Sequence, residues 1–416
     1  MRMILASETG AKLDSDVCKG GGSDDTAPLQ RALDLADETH GVELVMDGCA
    51  LVSGLRLHSN TTIRCLNQNC GFYLADHADS PILVNADFSK GEIRTRNITL
   101  QGGCYNGNSL NQIHHRPDHL WVTAMSFFGV EGLTIRDLRV RSARTFAIHL
   151  ANWLHVNLEN LLFEPDHFEL NQNQDAIHVN GPGRFLTARN LIGFGEDDFF
   201  ALNADDDTKP MSVSHCFGPW VEEGDITDVL VDGVIWHDTI QGIRLLSRTA
   251  RLDRIIIRNV QGTCSDFALL LEPYCAPGSI TGNYGHILLE NIDVREIKPR
   301  KNSDFMMTVA GKVECLELRN VHRHNSEDKR PYIWVRDQGD VDQLFIDGFS
   351  VHAPHPADKT ANHITIDGHI AYLRLSNANI YEGTPKLNSD KLLKVNSSAH
   401  IDLLTINEIT TKMVSG

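Results

Sequence analysis

A short phrase recurs along most of this chain: two apolar residues separated by one position, then another position, then Asn or Asp, then a further apolar residue. It reads Leu133-Thr134-Ile135-Arg136-Asp137-Leu138, then Val156-Asn157-Leu158-Glu159-Asn160-Leu161, and returns, intact or in close variants, at 186–191, 229–234, 255–260, 287–292, 316–321, 344–349, 373–378 and 403–408. The Asn/Asp positions fall roughly 23 to 42 residues apart, the spacing of stacked structural repeats. Alternating apolar residues around each mark read as strands, and helical periodicity is nearly absent. The pattern therefore predicts an all-β chain, a single-stranded right-handed parallel β-helix (solenoid) whose apolar residues face a continuous core. Asn or Asp suits the corner of each coil, where its side chain can bond the same residue one coil on. Asn160, Asn190, Asn259, Asn291 and Asn320 are accordingly read as structural.

One helical pattern stands apart. Residues 27–36 place Leu29, Leu33 and Ala36 on one face, with Asp24 or Asp25 as N-cap and Pro28 in the first turn. The spacing predicts a helix near 26–37 that caps the open end of the strand stack, whose bare edge would otherwise invite aggregation. Residues 1–41 are then the N-terminal segment and cap, and 42–416 the coils of a single domain. At 416 residues and 41% hydrophobic content the chain can bury a large core. Its formal net charge of -17 argues against nucleic acid or an anionic membrane as partner. No run of about 18 apolar residues is present to span a bilayer. Met1 to Leu5 is too short for a secretion signal, so the chain is expected to be secreted or periplasmic if a signal was removed and cytoplasmic otherwise. The 9 cysteines contain no Cys-x-x-Cys pair, which points to neither zinc nor a disulfide framework. Most read as buried thiols, with Cys65 and Cys70 able to bridge in an exported protein.

The chemistry concentrates in residues 171 to 207. Asp175-Ala176-Ile177-His178-Val179 and Asp198-Phe199-Phe200-Ala201-Leu202 read alike, with a turn at Gly181-Pro182-Gly183 between them. As successive rungs of a parallel sheet they put Asp175 over Asp198, roughly 4.8 Å apart at the backbone, with Asp197 beside them. Aligning residues 146–150 and 241–245 gives an inward column of Ile148, Ile177, Phe200 and Ile243. Beside it runs an outward column of His149, His178, Ala201 and Arg244, read as the floor of a groove. The candidate catalytic residues are Asp175, Asp197 and Asp198, and the candidate substrate-binding residues His149, His178, Gln241 and Arg244. Glycoside hydrolysis with inversion needs one carboxylic acid on the leaving oxygen and a carboxylate that activates water, roughly 6.5–9.5 Å apart. Like charge around Asp197 should raise its pKa, as that acid requires, while Asp175 and Asp198 stay ionised. Asp205-Asp206-Asp207 reads as a solvated loop, because a calcium site needs six or more converging oxygens. No metal and no cofactor is expected for hydrolysis, and calcium enters only with lyase chemistry.

From Gly22-Ser23-Asp24-Asp25-Thr26, through Arg116-Pro117 and residues 146–150, to about residue 250, the chain resembles the polygalacturonase family, glycoside hydrolase family 28, and the wider group of pectin-active β-helix proteins. Asn173-Gln174-Asp175-Ala176-Ile177 is similar to the family's Asn-Thr-Asp-Gly-Ile motif, and Gly195-Glu196-Asp197-Asp198 to its Gly-Asp-Asp motif. Gly242-Ile243-Arg244-Leu245-Leu246 is similar to Gly-x-Arg-Ile-Lys. The resemblance implies an inverting hydrolase of an α-linked uronan, with Asp197 as acid and Asp175 and Asp198 activating water. Two features depart from it. No Gly-His-Gly lies between Asp198 and Arg244, where His215 and His237 are the only histidines, and Leu246 stands where the family has lysine. With half of the uronate clamp missing, the expected polysaccharide or oligosaccharide is less acidic than polygalacturonan, with Arg244 and His178 as its principal binders. Two alternatives remain. One is a lyase or epimerase, for which Glu164-Pro165-Asp166-His167-Phe168 loosely resembles the Asp-Pro-His segment of alginate epimerases. The other is a non-catalytic glycan-binding β-helix of the tailspike or adhesin kind, which would disperse its aspartates rather than cluster them.

Overall fold

The computed structural model describes residues 1–38, 40–114, 121–164, 173–205, 218, 221–273, 281–297, 306–324, 331–353, 362–382 and 392–413. Its strands pair in parallel with the coil before and the coil after, which makes the fold a parallel β-helix. The chain packs as two compact units, Met1–Phe200 with Asp207–Gly224 and Ala201–Asp206 with Asp225–Gly416. Among the described residues no helix is long and apolar enough to cross a membrane.

In the first unit three columns of strands stack. One runs through Val42–Met46, Thr61–Cys65, Thr95–Gln101, Met125–Arg136, Ile148–Glu164 and Ile177–Gly193. A second runs through Cys49–Val52, Gly71–Leu74, Cys104–Asn106, Arg139–Arg141 and the later part of Ile148–Glu164. The third begins at Leu55–Leu57 and Leu83–Asn85 and enters the first residues of Met125–Arg136. Strand alternation then stacks like on like. Ile98, Leu133, Val156 and Leu186 form one buried file, and Leu100, Ile135, Leu158 and Ala188 the next. Each such leucine or isoleucine gains about 1.5–3 kcal/mol from leaving water.

The expected cap is the helix Thr26–Glu38, which buries Leu29, Leu33 and Ala36 against Val42–Met46 and Leu55–Leu57. Both aspartates before it are used. The Thr26 N–H donates to Asp24 Oδ1 at 2.8 Å, and the Leu29 N–H to the Asp25 carbonyl at 3.2 Å. The Asp25 carboxylate, fully buried, accepts the N–H groups of Lys12 and Leu13 at 2.6 and 2.8 Å and so pins the preceding loop to the helix start. The proposed Cys65–Cys70 bridge is absent: both are free, buried thiols. Burial pushes the thiols of Cys49, Cys65 and Cys104 up to about 12, which leaves them protonated and inert at neutral pH.

The second unit stacks Ile226–Leu246, Leu252–Leu271, Tyr284–Glu296, Met307–His324, Ile333–Asp347, His369–Glu382 and His400–Met413. Val229, Ile255, Ile287, Leu316, Leu344 and Leu373 form one buried file along it. The file ends at Leu404, 43% exposed, because no further coil among the described residues lies on it.

The corners behave as the repeat predicts. Asp137, Asn160, Asn190, Asn259, Asn291, Asn320 and Asn377 all take left-handed backbone angles, which Asn and Asp tolerate better than other side chains. In the first unit the Asn160 Nδ2 donates to Asp137 Oδ1 at 2.8 Å and the Asn190 Nδ2 to Asn160 Oδ1 at 2.9 Å. In the second, Asn259 donates to Asp232, Asn291 to Asn259 and Asn320 to Asn291 at 2.7, 2.9 and 3.0 Å. Asn291 sits mid-ladder at φ 55°, so its loss is a direct test. Asn291→Ala should cost about 2 kcal/mol, from two hydrogen bonds and a strained alanine, and Asn291→Gly clearly less, because glycine relieves the strain. Urea midpoints measure both, and equal midpoints for the two variants would contradict the strain component.

Candidate active site

Parallel register decides which side chains meet. The Ala147 N–H donates to the Asp175 carbonyl at 2.8 Å and the Ala176 N–H to the Asp198 carbonyl at 3.0 Å, which sets Phe146, Asp175 and Asp198 at the same level of three successive rungs. Ile148 faces Ile177 and His149 faces His178 in the same register. Asp175 therefore stacks over Asp198 as the repeat implies, and the Asp198 N–H donates to Asp175 Oδ1 at 3.1 Å. The second oxygen, Oδ2, lies 2.6 Å from His178 Nδ1. A carboxylate can only accept, so His178 carries a proton on Nδ1 and the pair is a buried carboxylate–imidazole dyad. Asp197 adjoins this arrangement in sequence and is 7% exposed, against 2% for Asp175 and 0% for Asp198.

Several groups that the motif reading did not single out complete the site. Phe146 lies flat on the His178 ring, centroids 3.9 Å apart and planes within 5°, and Trp121 meets Phe146 edge-on at 5.6 Å. These rings pack with Phe128, Ala151 and Val221 into one apolar cluster. Glu196 is fully buried, with Oε2 3.5 Å from the Gln174 backbone N–H, while its own N–H donates to the Gln174 carbonyl at 2.8 Å. Its carboxylate thus faces the preceding rung's backbone. The outward spacing of Phe128 and Asn180 in their strands was the available signal for these contacts, but outward position alone does not distinguish a covered wall from an open one.

The outward histidine column is that covered wall. His149 is completely buried, with Nε2 2.7 Å from Asn180 Oδ1, and Trp153 Nε1–H donates to the Asn180 carbonyl at 3.0 Å. Burial pushes the His149 imidazole down to about 4, so it is neutral at physiological pH and serves the packing of this wall rather than the floor of an open groove. The expected Gly181-Pro182-Gly183 turn is also different: the residues lie inside the strand Ile177–Gly193, where the register with Ile148–Glu164 shifts between Ala151 and Trp153. Gly183 is required there, because a Cβ would fall 1.9 Å from Trp153 Cε2.

Gln241 and Arg244 lie in the second unit, on Ile226–Leu246, with Gln241 opposite Phe267 and Arg244 opposite Leu270 on the next rung. Gln241 is buried and Arg244 half-buried. Leu246, at the family's lysine position, is fully buried, and its carbonyl accepts the Ala204 N–H at 2.9 Å. His237 is exposed, and His215 lies outside the described residues, as do Arg116-Pro117, Pro165 to Phe168, Asp206 and Asp207. Asp205 corrects the solvated-loop reading. It is buried and accepts the Thr249 hydroxyl at 2.6 Å and the Thr249 and Ala250 N–H groups at 2.9 and 3.1 Å, which makes it the organiser of the turn after Leu246.

No family model matches the chain. Its structure is similar to that of a Yersinia enterocolitica family 28 exopolygalacturonase, at 14% identity over 98% of this chain and 78% of that one, with a TM-score of 0.60. It is similar to the Streptococcus pneumoniae surface protein and adhesin PfbA, at 13% identity over 99% of both chains and a TM-score of 0.57. The A-module of the Azotobacter vinelandii mannuronan C-5 epimerase AlgE4 matches at 14% identity over 97% of this chain and 99% of that one, with a TM-score of 0.52. At these identities the likeness establishes the fold, a parallel β-helix of the kind found in pectin-active proteins.

The buried His149 makes a signed prediction. Its folded pKa of about 4 lies below the ordinary 6.5, so between those values the unfolded chain takes up a proton that the folded one refuses. Stability should therefore fall as pH drops from 6.5 towards 4, with up to about 3 kcal/mol from this residue. His149→Gln, which does not titrate, should flatten that part of the stability profile, as read by urea denaturation at stepped pH. An unchanged profile would remove His149 as the source.

Proposed function

We propose that the protein is an inverting glycoside hydrolase acting on a pectin-like or related polysaccharide or oligosaccharide. The observation that carries this reading is the stacking of Asp175 over Asp198, fixed by the parallel register of successive rungs, with Asp197 next in the chain. Asp197, the least buried of the three, is the general acid that protonates the leaving oxygen. Asp175 and Asp198 activate the water that attacks the opposite face of the sugar. The reaction as written needs no cofactor.

The substrate reading rests on the resemblance of residues 242–246 to the family's Gly-x-Arg-Ile-Lys segment. Arg244 can grip a carboxylate or sulfate in bidentate fashion, whereas the buried Leu246 offers no second cation at the family's lysine position. The proposed glycan is therefore a mixed or largely neutral chain with an occasional acidic sugar. The Asp175–His178 dyad favours a second reading, a lyase or epimerase, because a carboxylate-supported imidazole suits proton abstraction beside a uronate carboxyl. A glycan-binding role without catalysis is less favoured, since it gives no reason for three carboxylates to gather at one pair of rungs.

Proton NMR of the first product anomer separates these readings. Inversion is expected, and Asp197→Asn should lower kcat by several orders of magnitude while the fold is kept. Retention, or an unsaturated product absorbing in the ultraviolet, would overturn the hydrolytic mechanism. For the substrate, Arg244→Lys should lower kcat/KM on the best glycan, and a best activity on unsubstituted polygalacturonan would overturn the inference from Leu246.

A further inference from the structure

A histidine, a cysteine and a glutamate converge on the outer face of the second unit, apart from every residue considered above. Strands Tyr284–Glu296 and Met307–His324 are neighbours, with His286 directly opposite Cys315. Glu317 follows Cys315 by two residues and so points to the same face. One ligand atom from each residue, an imidazole nitrogen, the thiol sulfur and a carboxylate oxygen, lies within 4.8 Å of the other two. His286 Nε2 is already 2.8 Å from Glu317 Oε1. The other carboxylate oxygen, Oε2, accepts a hydrogen bond from Arg319, which fixes the carboxylate plane and leaves Oε1 turned towards the histidine. The His286 N–H donates to Asp253 Oδ1 at 2.9 Å, which steadies the backbone on the other side. Arg254, the nearest cation on the preceding strand, is engaged with Asp228 and Asp253, both at 2.6 Å.

We propose that His286, Cys315 and Glu317 form a binding site for a divalent transition-metal ion of zinc-like preference, with water as the fourth ligand. The donor set selects the class of ion. Nitrogen, sulfur and one oxygen suit Zn2+ or Co2+, whereas Ca2+ and Mg2+ require several oxygens. Metal–ligand bonds of about 2.0–2.3 Å in a tetrahedron place neighbouring ligand atoms roughly 3.3–3.7 Å apart, which this cluster reaches by small side-chain movements. Arg319 acts on the carboxylate, not on the metal, in the way outer partners orient metal ligands. A thiol must give up its proton to ligate a metal, so binding of the ion releases one proton from Cys315. Because the ligands come from two adjacent rungs, the bound ion ties those rungs together and stabilises the folded chain by mass action.

The test uses the full chain, stripped with chelator and titrated with Co2+. A near-ultraviolet thiolate-to-cobalt charge-transfer band should saturate at one equivalent and disappear on adding Zn2+, and Zn2+ but not Ca2+ should raise the melting temperature. Cys315→Ser should abolish the band, His286→Ala should weaken binding about 100-fold, and Arg319→Gln, which touches no metal, about tenfold. His286 is exposed, so its replacement leaves the fold intact even if the cysteine variant does not, and melting without metal verifies this for each variant. Absence of the band in folded wild-type protein, or a band that survives in both Cys315→Ser and His286→Ala, overturns the proposal.

Discussion

The parallel hydrogen-bonded ladder is the constraint on which the rest of this molecule depends. It satisfies the backbone of each coil with the coil before and after, and it forces equivalent positions into columns. Once columns exist, a residue type repeated in sequence becomes a continuous physical object. Alternate leucines and isoleucines become a core file, and a repeated Asn becomes a chain of amide hydrogen bonds. The corner residues do more than decorate this arrangement. Their left-handed backbone bends the chain within each long strand from one column of pairing into the next, and their side chains connect that bend to its neighbours.

Much of this was legible in the residues themselves, for a physical reason. Strand periodicity and Asx corners are local, short-range signals, and in a solenoid local signals repeat often enough to define the whole path. The stacking of Asp175 on Asp198 followed from the same reasoning, since two similar pentapeptides on successive rungs must align. The outer wall was not legible. Alternation says that His149 and His178 point away from the core, but it carries no information about what covers them, and Phe146 and Phe128 do so, with Trp121 packed on Phe146. Asp205 illustrates the same limit from the acidic side. In a run of three aspartates it looks solvated, yet a turn made by residues more than 40 positions later supplies its hydrogen-bond donors. Cys65 and Cys70 are close in sequence, but each serves the packed interior as a separate thiol.

The site shows how one scaffold can host different chemistries. The hydrolase, the adhesin and the epimerase similar to this chain share its architecture at low identity, so activity must be argued from side chains and not from the fold. Here the distinguishing element is the restraint on Asp175. One of its oxygens is met by a backbone amide of the next rung and the other by an imidazole that is itself clamped by a phenylalanine ring. Such a carboxylate has little rotational freedom, which suits a group that must act from a fixed position.

The bond from the Asp198 amide to Asp175 has one more consequence. It makes the interval between these two acidic positions a lattice constant of the solenoid, roughly the 4.8 Å separation of neighbouring strands. Substitution elsewhere can change which groups occupy this ruler and how wet they are. It cannot slide one graduation against the other without breaking the backbone pairing that defines the coil. In such a molecule new chemistry arises by exchanging the marks on the scale, because the scale itself does not stretch.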